Sequence, residues 1–318
     1  MDDISQAVSG VKISDDNVCG SCNDSTKETC ANCGKEGDSL KSCAACKLVK
    51  YCSRDCQAFH RPQHKKECRK RVAELHDDES LFKQPPTLDD CPICFVQLPI
   101  SRNTYKSCCG KVICKGCIHA VYNRDEEALC PFCRAPTPES NEEIFQQLMK
   151  RADASDAQGI NNLGFYYADG IYGLPQDFDK ALELWERAAK LGSATSHYNI
   201  GNAYYSGRGV EQDEKKAKQY WELAAMKGDV NARHNVAVVE ENSGNIERAI
   251  KHYMIAAGYG QNKALKNIQR LYSQGCATKD EYTKALRLYQ KYLNEVKSRQ
   301  RDEAAAFDDE YKYLEGLI

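Results

Sequence analysis

The sequence predicts a mainly α-helical chain in which two small zinc-stabilised modules precede an α-solenoid of helix-hairpin repeats. Three observations carry that prediction. Of 18 cysteines, 17 fall before residue 134, most of them in Cys-x2-Cys pairs that let two thiolates reach one metal from a tight turn. Beyond that point asparagines recur at Asn162, Asn199, Asn235 and Asn267, at spacings of 37, 36 and 32 residues. Between them an apolar stripe at helical spacing returns with a pair of alanines and a glycine.

At 318 residues the length allows roughly two or three domains. Cysteines this dense serve either as a disulfide framework or as metal ligands. The first residues, MDDISQAVSG, carry acids where a signal peptide needs basic residues and an apolar run. No segment approaches the ~20 apolar residues that span a bilayer. The expectation is a chain of the cytosol or nucleus, without a membrane partner, whose thiols sit on metal.

Residues 1–29 are polar and acidic, without periodicity, and read as a disordered lead. They hold Cys19 and Cys22, which are either a spare pair or partners for Cys30 and Cys33; the spare pair is the reading taken. The first module is set at 30–71. It contains Cys30, Cys33, Cys43, Cys46, Cys52, Cys56, His64 and Cys68, donors enough for two tetrahedral sites. His64 and Cys68 are four residues apart and share a helix face.

That order, and the stretch YCSRDCQAFHRPQHKKEC, resemble a MYND zinc finger, a docking surface for short and often proline-containing peptides. The resemblance implies one zinc on Cys30, Cys33, Cys52 and Cys56, and a second on Cys43, Cys46, His64 and Cys68. His60, with eight donors already present, reads as a packing or surface residue. Arg61 stands where such fingers commonly carry tryptophan, so a large apolar contact of the usual peptide groove is missing. Residues 30–71 hold eleven Lys/Arg and four Asp/Glu, a local +7; with -2 for the whole chain, the remainder sums to -9. A basic patch can bind nucleic acid. The reading preferred is the solvated face of a small zinc domain.

Residues 72–88 are acidic and contain Pro85-Pro86, which favours an extended linker. The second module spans 89–138, with Cys91 and Cys94, Cys108 and Cys109, Cys114 and Cys117, and Cys130 and Cys133. Two four-coordinate zinc ions would use all eight sulfurs. The order of pairs, with CPIC at the start and CPFCR at the end, resembles a RING finger. By that resemblance pairs one and three hold one zinc, and pairs two and four the other. Lys111 falls where a histidine ligand is usual, and a charged ammonium has no lone pair to offer. Cys108 takes its place in an all-cysteine variant, so four zinc ions are expected in all. The family's contacts with a ubiquitin-conjugating enzyme map onto Ile93 in the first knuckle, Pro131 in the last and Arg134 just beyond. Its usual aromatic is replaced by Val121, with Tyr122 beside it.

Residues 139–296 are the repeat region. The helix of Ile144, Leu148 and Met149 is placed to cap it. In the second helix of a unit, Phe178, Ala181, Leu182, Trp185, Ala188 and Ala189 form one apolar face. Trp185, Trp221 and Tyr253 keep step, as do Ala188-Ala189, Ala224-Ala225 and Ala256-Ala257, and Gly192, Gly228 and Gly260. Asp177 and Asp213 stand where a helix needs an N-cap. One hairpin cannot bury its face alone, so the units stack. LGFYYADGIYGLPQDFDKALELWERAAKLG resembles a Sel-one-like repeat, a tetratricopeptide relative that serves as a protein-binding scaffold. The recurring asparagines are expected to satisfy backbone within their own hairpins. Tyr166, Tyr167, Tyr204 and Tyr205 are expected in the core, and Cys276 is a lone thiol. Residues 297–318 form a charged helical tail.

No Gly-rich phosphate loop is present, and no catalytic triad stands outside the cysteine modules. Two functions remain. The first is a RING-type ubiquitin ligase that recruits protein substrates through its repeats and finger. The second is a non-enzymatic zinc-binding adaptor that joins proteins or peptide ligands.

Overall fold

The computed structural model describes residues 28–309 and 312, apart from 38, 48, 102 and 124–128. Cys19, Cys22 and nearly all of the acidic lead lie outside the described residues, as does the end of the tail. The chain divides into two compact units, one within residues 19–83 and one spanning 84–318.

In the first unit a short antiparallel hairpin, β1 (Lys41–Ser42) and β2 (Lys50–Tyr51), leads into the long helix α1 (Arg54–Leu81). Ser53 caps α1 by accepting from the Cys56 N–H. The helix accommodates Pro62 and runs on through the segment read as a linker from residue 72, because no glycine or proline falls between Pro62 and Pro85.

The second unit begins with the eight-cysteine module. Its strands β3 (Asn103–Lys106) and β4 (Lys111–Cys114) pair antiparallel, Asn103 opposite Cys114, and helix α2 (Lys115–Tyr122) follows. Leu98, Ile113 and Ile118 pack around Cys91, Cys114 and Cys117 as its small core. Next comes α3 (Asn141–Asp153), capped by Ser140, with Leu148 buried and Met149 exposed.

Among the described residues the following helices pair into four hairpins: α4 (Ala157–Asp169) with α5 (Phe178–Lys190), α6 (Ala194–Ser206) with α7 (Glu214–Met226), α8 (Val230–Asn242) with α9 (Ile246–Gly258), and α10 (Asn262–Ser273) with α11 (Lys279–Val296). Asp177 and Asp213 cap α5 and α7 through the N–H groups of Lys180 and Lys216. Within a hairpin the large ring of the second helix needs room on the first. A Cβ on Gly164 would sit 2.7 Å from Trp185, and one on Gly201 2.6 Å from Trp221. In the third hairpin the ring shrinks to Tyr253, and the matching position is Ala237. The alanine pairs close the interface with the next unit; Ala224, Ala225, Ala256 and Ala257 are all buried.

Two of the four recurring asparagines, Asn199 and Asn267, act between units rather than inside their own hairpins. Asn199 donates to the Asn161 side chain of the preceding repeat at 3.1 Å, and Asn267 pairs with His234 at 3.3 Å. Asn162 does stay local, accepting from Gln158. Of the four tyrosines read as core, Tyr167 is buried and Tyr166 and Tyr204 half-buried, but Tyr205 is exposed over the Trp221 ring.

Both ends of the solenoid grip the eight-cysteine module. At the first end Tyr105 donates to Asp156 (2.8 Å), which also holds Arg151 (2.7 Å), and Ser107 donates to Gln147 (2.7 Å). At the last end the Ile100 N–H donates to the Tyr292 hydroxyl at 3.0 Å. Tyr292 stands where earlier units have an alanine. Its ring presses on Gly260, where a Cβ would lie 2.2 Å away and the backbone sits at φ +95°, so glycine is required there on both counts. The charged tail contains α12 (Arg299–Phe307), which packs on α2 instead of projecting into solvent: Gly116 of α2 lies directly against Arg301.

Candidate metal centres

Four groups of four donors are brought together, and within each group all four ligand atoms lie within 4.8 Å of one another. They are Cys30, Cys33, Cys52 and Cys56; Cys43, Cys46, His64 and Cys68; Cys91, Cys94, Cys114 and Cys117; and Cys108, Cys109, Cys130 and Cys133. Tetrahedral zinc with ~2.3 Å arms sets its sulfurs ~3.8 Å apart. The spacings here are 3.9 Å for Cys91–Cys117, 3.8 Å for Cys94–Cys114, 3.9 Å for Cys109–Cys130 and 3.5 Å for Cys108–Cys133. In the finger they are 3.9 Å for Cys43–Cys68 and 3.5 Å for both Cys33–Cys52 and Cys52–Cys56. All sixteen described cysteines are free thiols. The donor sets and their edges fit zinc at four sites.

Local structure explains each grouping. In the finger, turns supply two pairs, and α1 presents His64 and Cys68 one turn apart. The His64 Nε2 atom lies 3.1 Å from the Cys46 sulfur. His60 stacks on the His64 ring at 5.6 Å and shares a 3.0 Å hydrogen bond with the Tyr51 hydroxyl, so it steadies the ligand by packing. In the second module the β3–β4 hairpin turn carries Cys108 and Cys109 to one site, while the end of β4 and the first turn of α2 carry Cys114 and Cys117 to the other. Lys111 takes no part; its ammonium lies over the Phe132 ring.

Thiols this crowded cannot all ionise unaided, and their pKa values are driven apart. Contacts with Cys114 and Cys117 hold Cys91 far below the ordinary thiol value, while those with Cys114 and Cys91 push Cys117 far above it. In the finger the Cys46 backbone N–H brings Cys43 down to about 6, and burial, above all, pushes Cys68 up to about 11. A divalent cation resolves the conflict by stabilising every thiolate in the cluster.

The cluster of Cys91, Cys94, Cys114 and Cys117 has support that the sequence did not disclose. Arg301, 1% exposed, donates to the carbonyls of Gln97 (2.7 Å), Val96 (3.1 Å) and Val296 (2.6 Å), and lies 3.9 Å from the Cys94 sulfur. Burial would lower the Arg301 pKa, but the thiols of Cys114, Cys94 and Cys91 outweigh it and hold the guanidinium charged. The Gln300 side chain lies 3.6 Å from the Cys117 sulfur. No local motif marks these residues.

Ile93 is half-buried on the module core, Pro131 is half-buried, and Arg134 is exposed. Three knuckles end on a left-handed residue other than glycine: Lys47 (φ +58°), Phe95 (φ +56°) and Arg134 (φ +62°). Phe95 is 78% exposed and Phe132 44%, apolar surface on both knuckles that went unnoticed in the sequence. Val121 and Tyr122 are half-buried.

Residues 30–68 match the MYND finger family, and residues 157–193, 194–229 and 270–291 match the Sel1 repeat. Residues 30–68 are a MYND finger. The chain is 53% identical over 45 residues to a zinc finger MYND domain-containing protein 10 homolog of Drosophila melanogaster, covering 14% of this chain and 10% of that protein. It is 46% identical over 41 residues to SET domain and MYND-type zinc finger protein 6 of Schizosaccharomyces pombe, covering 13% of this chain and 8% of that one. The chain thus spans a tenth or less of the length of these relatives. Among solved structures, a Sel1 repeat protein from Oxalobacter formigenes aligns at 25% identity and a TM-score of 0.42, over 52% of this chain and 64% of that one. A protective antigen of uropathogenic Escherichia coli with the same kind of repeat aligns at 25% identity and a TM-score of 0.41, over 51% and 35%. Sel1 repeats mediate protein–protein interaction, so the chain combines zinc binding with protein-interaction modules.

Proposed function

We propose that the eight-cysteine module is a RING-type zinc finger and that the chain is a ubiquitin ligase, or a ligase subunit, of the cytosol or nucleus. One observation carries the reading: the two ligand sets of residues 91–133 interleave, pairs one and three in one cluster and pairs two and four in the other. A RING forms no covalent intermediate. It binds a ubiquitin-charged conjugating enzyme and holds the thioester where a substrate lysine attacks it, an effect of orientation. Ile93, with the exposed Phe95 beside it, and Pro131 offer the apolar contact. Arg134, exposed just past the last ligand, offers a guanidinium with several donors. The Sel1 repeats and the MYND finger then recruit substrate.

A non-enzymatic adaptor is the second reading, and the packing of α12 on α2 favours it, because that packing builds the module into the scaffold. Val121 in place of the family's aromatic points the same way. Ubiquitin discharge from a panel of charged conjugating enzymes separates the two. The ligase reading expects discharge with at least one enzyme, weakened binding for Ile93→Ala, and near-normal binding with slowed discharge for Arg134→Ala. No discharge across a broad panel would end it.

A further inference from the structure

The MYND finger carries a groove whose chemistry differs from that of a proline-peptide site. Along α1, Arg54, Ala58, Arg61, Lys65 and Arg69 recur every three or four residues and share one stripe. This stripe lines a concavity of about 680 Å³ together with Ala44 and Ala45 of the Cys43 knuckle, and the concavity borders the ligands Cys43, His64 and Cys68. The four cations are exposed, no carboxylate lines the concavity, and among the described residues none of the four is ion-paired. A small apolar floor therefore lies beneath a row of unneutralised cations.

We infer that this groove docks an extended acidic segment of a partner protein. An apolar side chain of that segment rests on Ala44, Ala45 and Ala58. Carboxylates on either side of it meet Arg54 and Arg61 toward one end and Lys65 and Arg69 toward the other. From residue 54 to residue 69 the helix rises roughly 22 Å, the reach of about six or seven residues of extended peptide. Charge complementarity decides the class of ligand. A proline-rich peptide leaves all four cations unanswered. A nucleic-acid duplex is convex and meets the rim alone, leaving the apolar floor unfilled. The inference holds whether or not the second module acts as a ligase.

Fluorescence anisotropy with the full chain tests it. The probes are a short labelled peptide with leucine between runs of glutamate and aspartate, its glutamine and asparagine counterpart, a proline-rich peptide, and a short DNA duplex. The acidic peptide should bind, more weakly as salt rises, and the amide counterpart should bind roughly tenfold or more weaker, since several individually weak exposed ion pairs are lost together. Arg61→Glu with Lys65→Glu should weaken the acidic peptide by a similar factor while zinc content is unchanged. Lys66→Glu with Lys70→Glu makes the same change of charge off the stripe and should have little effect. Equal binding of the acidic and amide peptides, preference for the proline-rich one, or undiminished binding by the stripe variant would overturn the inference. Tighter binding of the duplex, lost in the stripe variant, would assign the groove to nucleic acid and overturn it too.

Discussion

Arg301→Met tests whether the solenoid is part of a zinc centre. The substitution keeps most of the side-chain length and removes the guanidinium. Three carbonyls, at 2.7 Å (Gln97), 3.1 Å (Val96) and 2.6 Å (Val296), lose a charged donor in a place that is 1% exposed. Hydrogen bonds to charged groups contribute ~1.5–3 kcal/mol each, and breaking a buried set by removing one partner costs ~3–5 kcal/mol rather than the full sum. We take ~3–5 kcal/mol as the loss, a factor of ~10² to 10³ or more in the local equilibrium. It falls on the chain just after the first knuckle, residues 94–97, and on the docking of α12 against α2. Arg301→Lys should rescue little, because one ammonium lacks the planar fork that reaches several acceptors at once. The assay is zinc release to a chelator, followed together with amide exchange over residues 91–100. One zinc of four should become labile and exchange in that segment should quicken, while release from the finger stays as in the wild type. Unchanged release and unchanged exchange in Arg301→Met would refute the reasoning.

Three further outcomes follow from the same packing. Cys108→Ser should loosen its zinc about as severely as Cys130→Ser, since each leaves three donors of four; full zinc retention and an unchanged melting temperature would make Cys108 a bystander. Under a strong chelator, circular dichroism should keep most of the helical signal, because the stacked hairpins bury a ring and alanine core drawn from the repeat region itself; collapse of the signal would show that the solenoid needs the zinc modules to fold. Glu240 is buried, which raises its pKa, but Lys218, Asn245 and Arg248 outweigh burial and hold it below the usual carboxylate range. Its contribution is therefore present above the unfolded value of ~4.3 and lost as pH falls through the lower folded value. In urea melts the advantage of the wild type over Glu240→Gln should shrink between neutral pH and pH ~3; a constant gap would contradict this linkage.

The metal centres were legible in the sequence because their ligands come in short, spaced pairs and the pairs lie within a few dozen residues of one another. His64 and Cys68 could be placed on one helix face from spacing alone. The repeats were legible because Trp185, Trp221 and the alanine pairs return in step. What could not be read was carried by contacts far apart along the chain. Arg301 reaches Gln97 across 204 residues, and Tyr292 reaches Ile100 across 192. In the sequence Arg301 is one charge in a charged tail, and Tyr292 is a lost alanine in a degenerate last repeat. Only the curl of the solenoid, which sets both its ends against one module, gives either residue a partner. Asn199 and Asn267 were misjudged for a related reason. A repeat read singly offers each amide a partner in its own hairpin, whereas stacking sets Asn199 against Asn161 and Asn267 against His234 of the unit before. Phe95 was passed over because it follows a ligand as an ordinary apolar residue, and its left-handed backbone and exposure exist only in the folded knuckle.

Native mass spectrometry of the purified full chain, set against its denatured mass, tests the central claim most directly. The four donor clusters predict four zinc ions per chain, two in the MYND finger and two in the eight-cysteine module, with every ligand cysteine reduced. A folded chain that carries two zinc ions or fewer, or one whose cysteines in residues 91–133 are joined as disulfides, would contradict it.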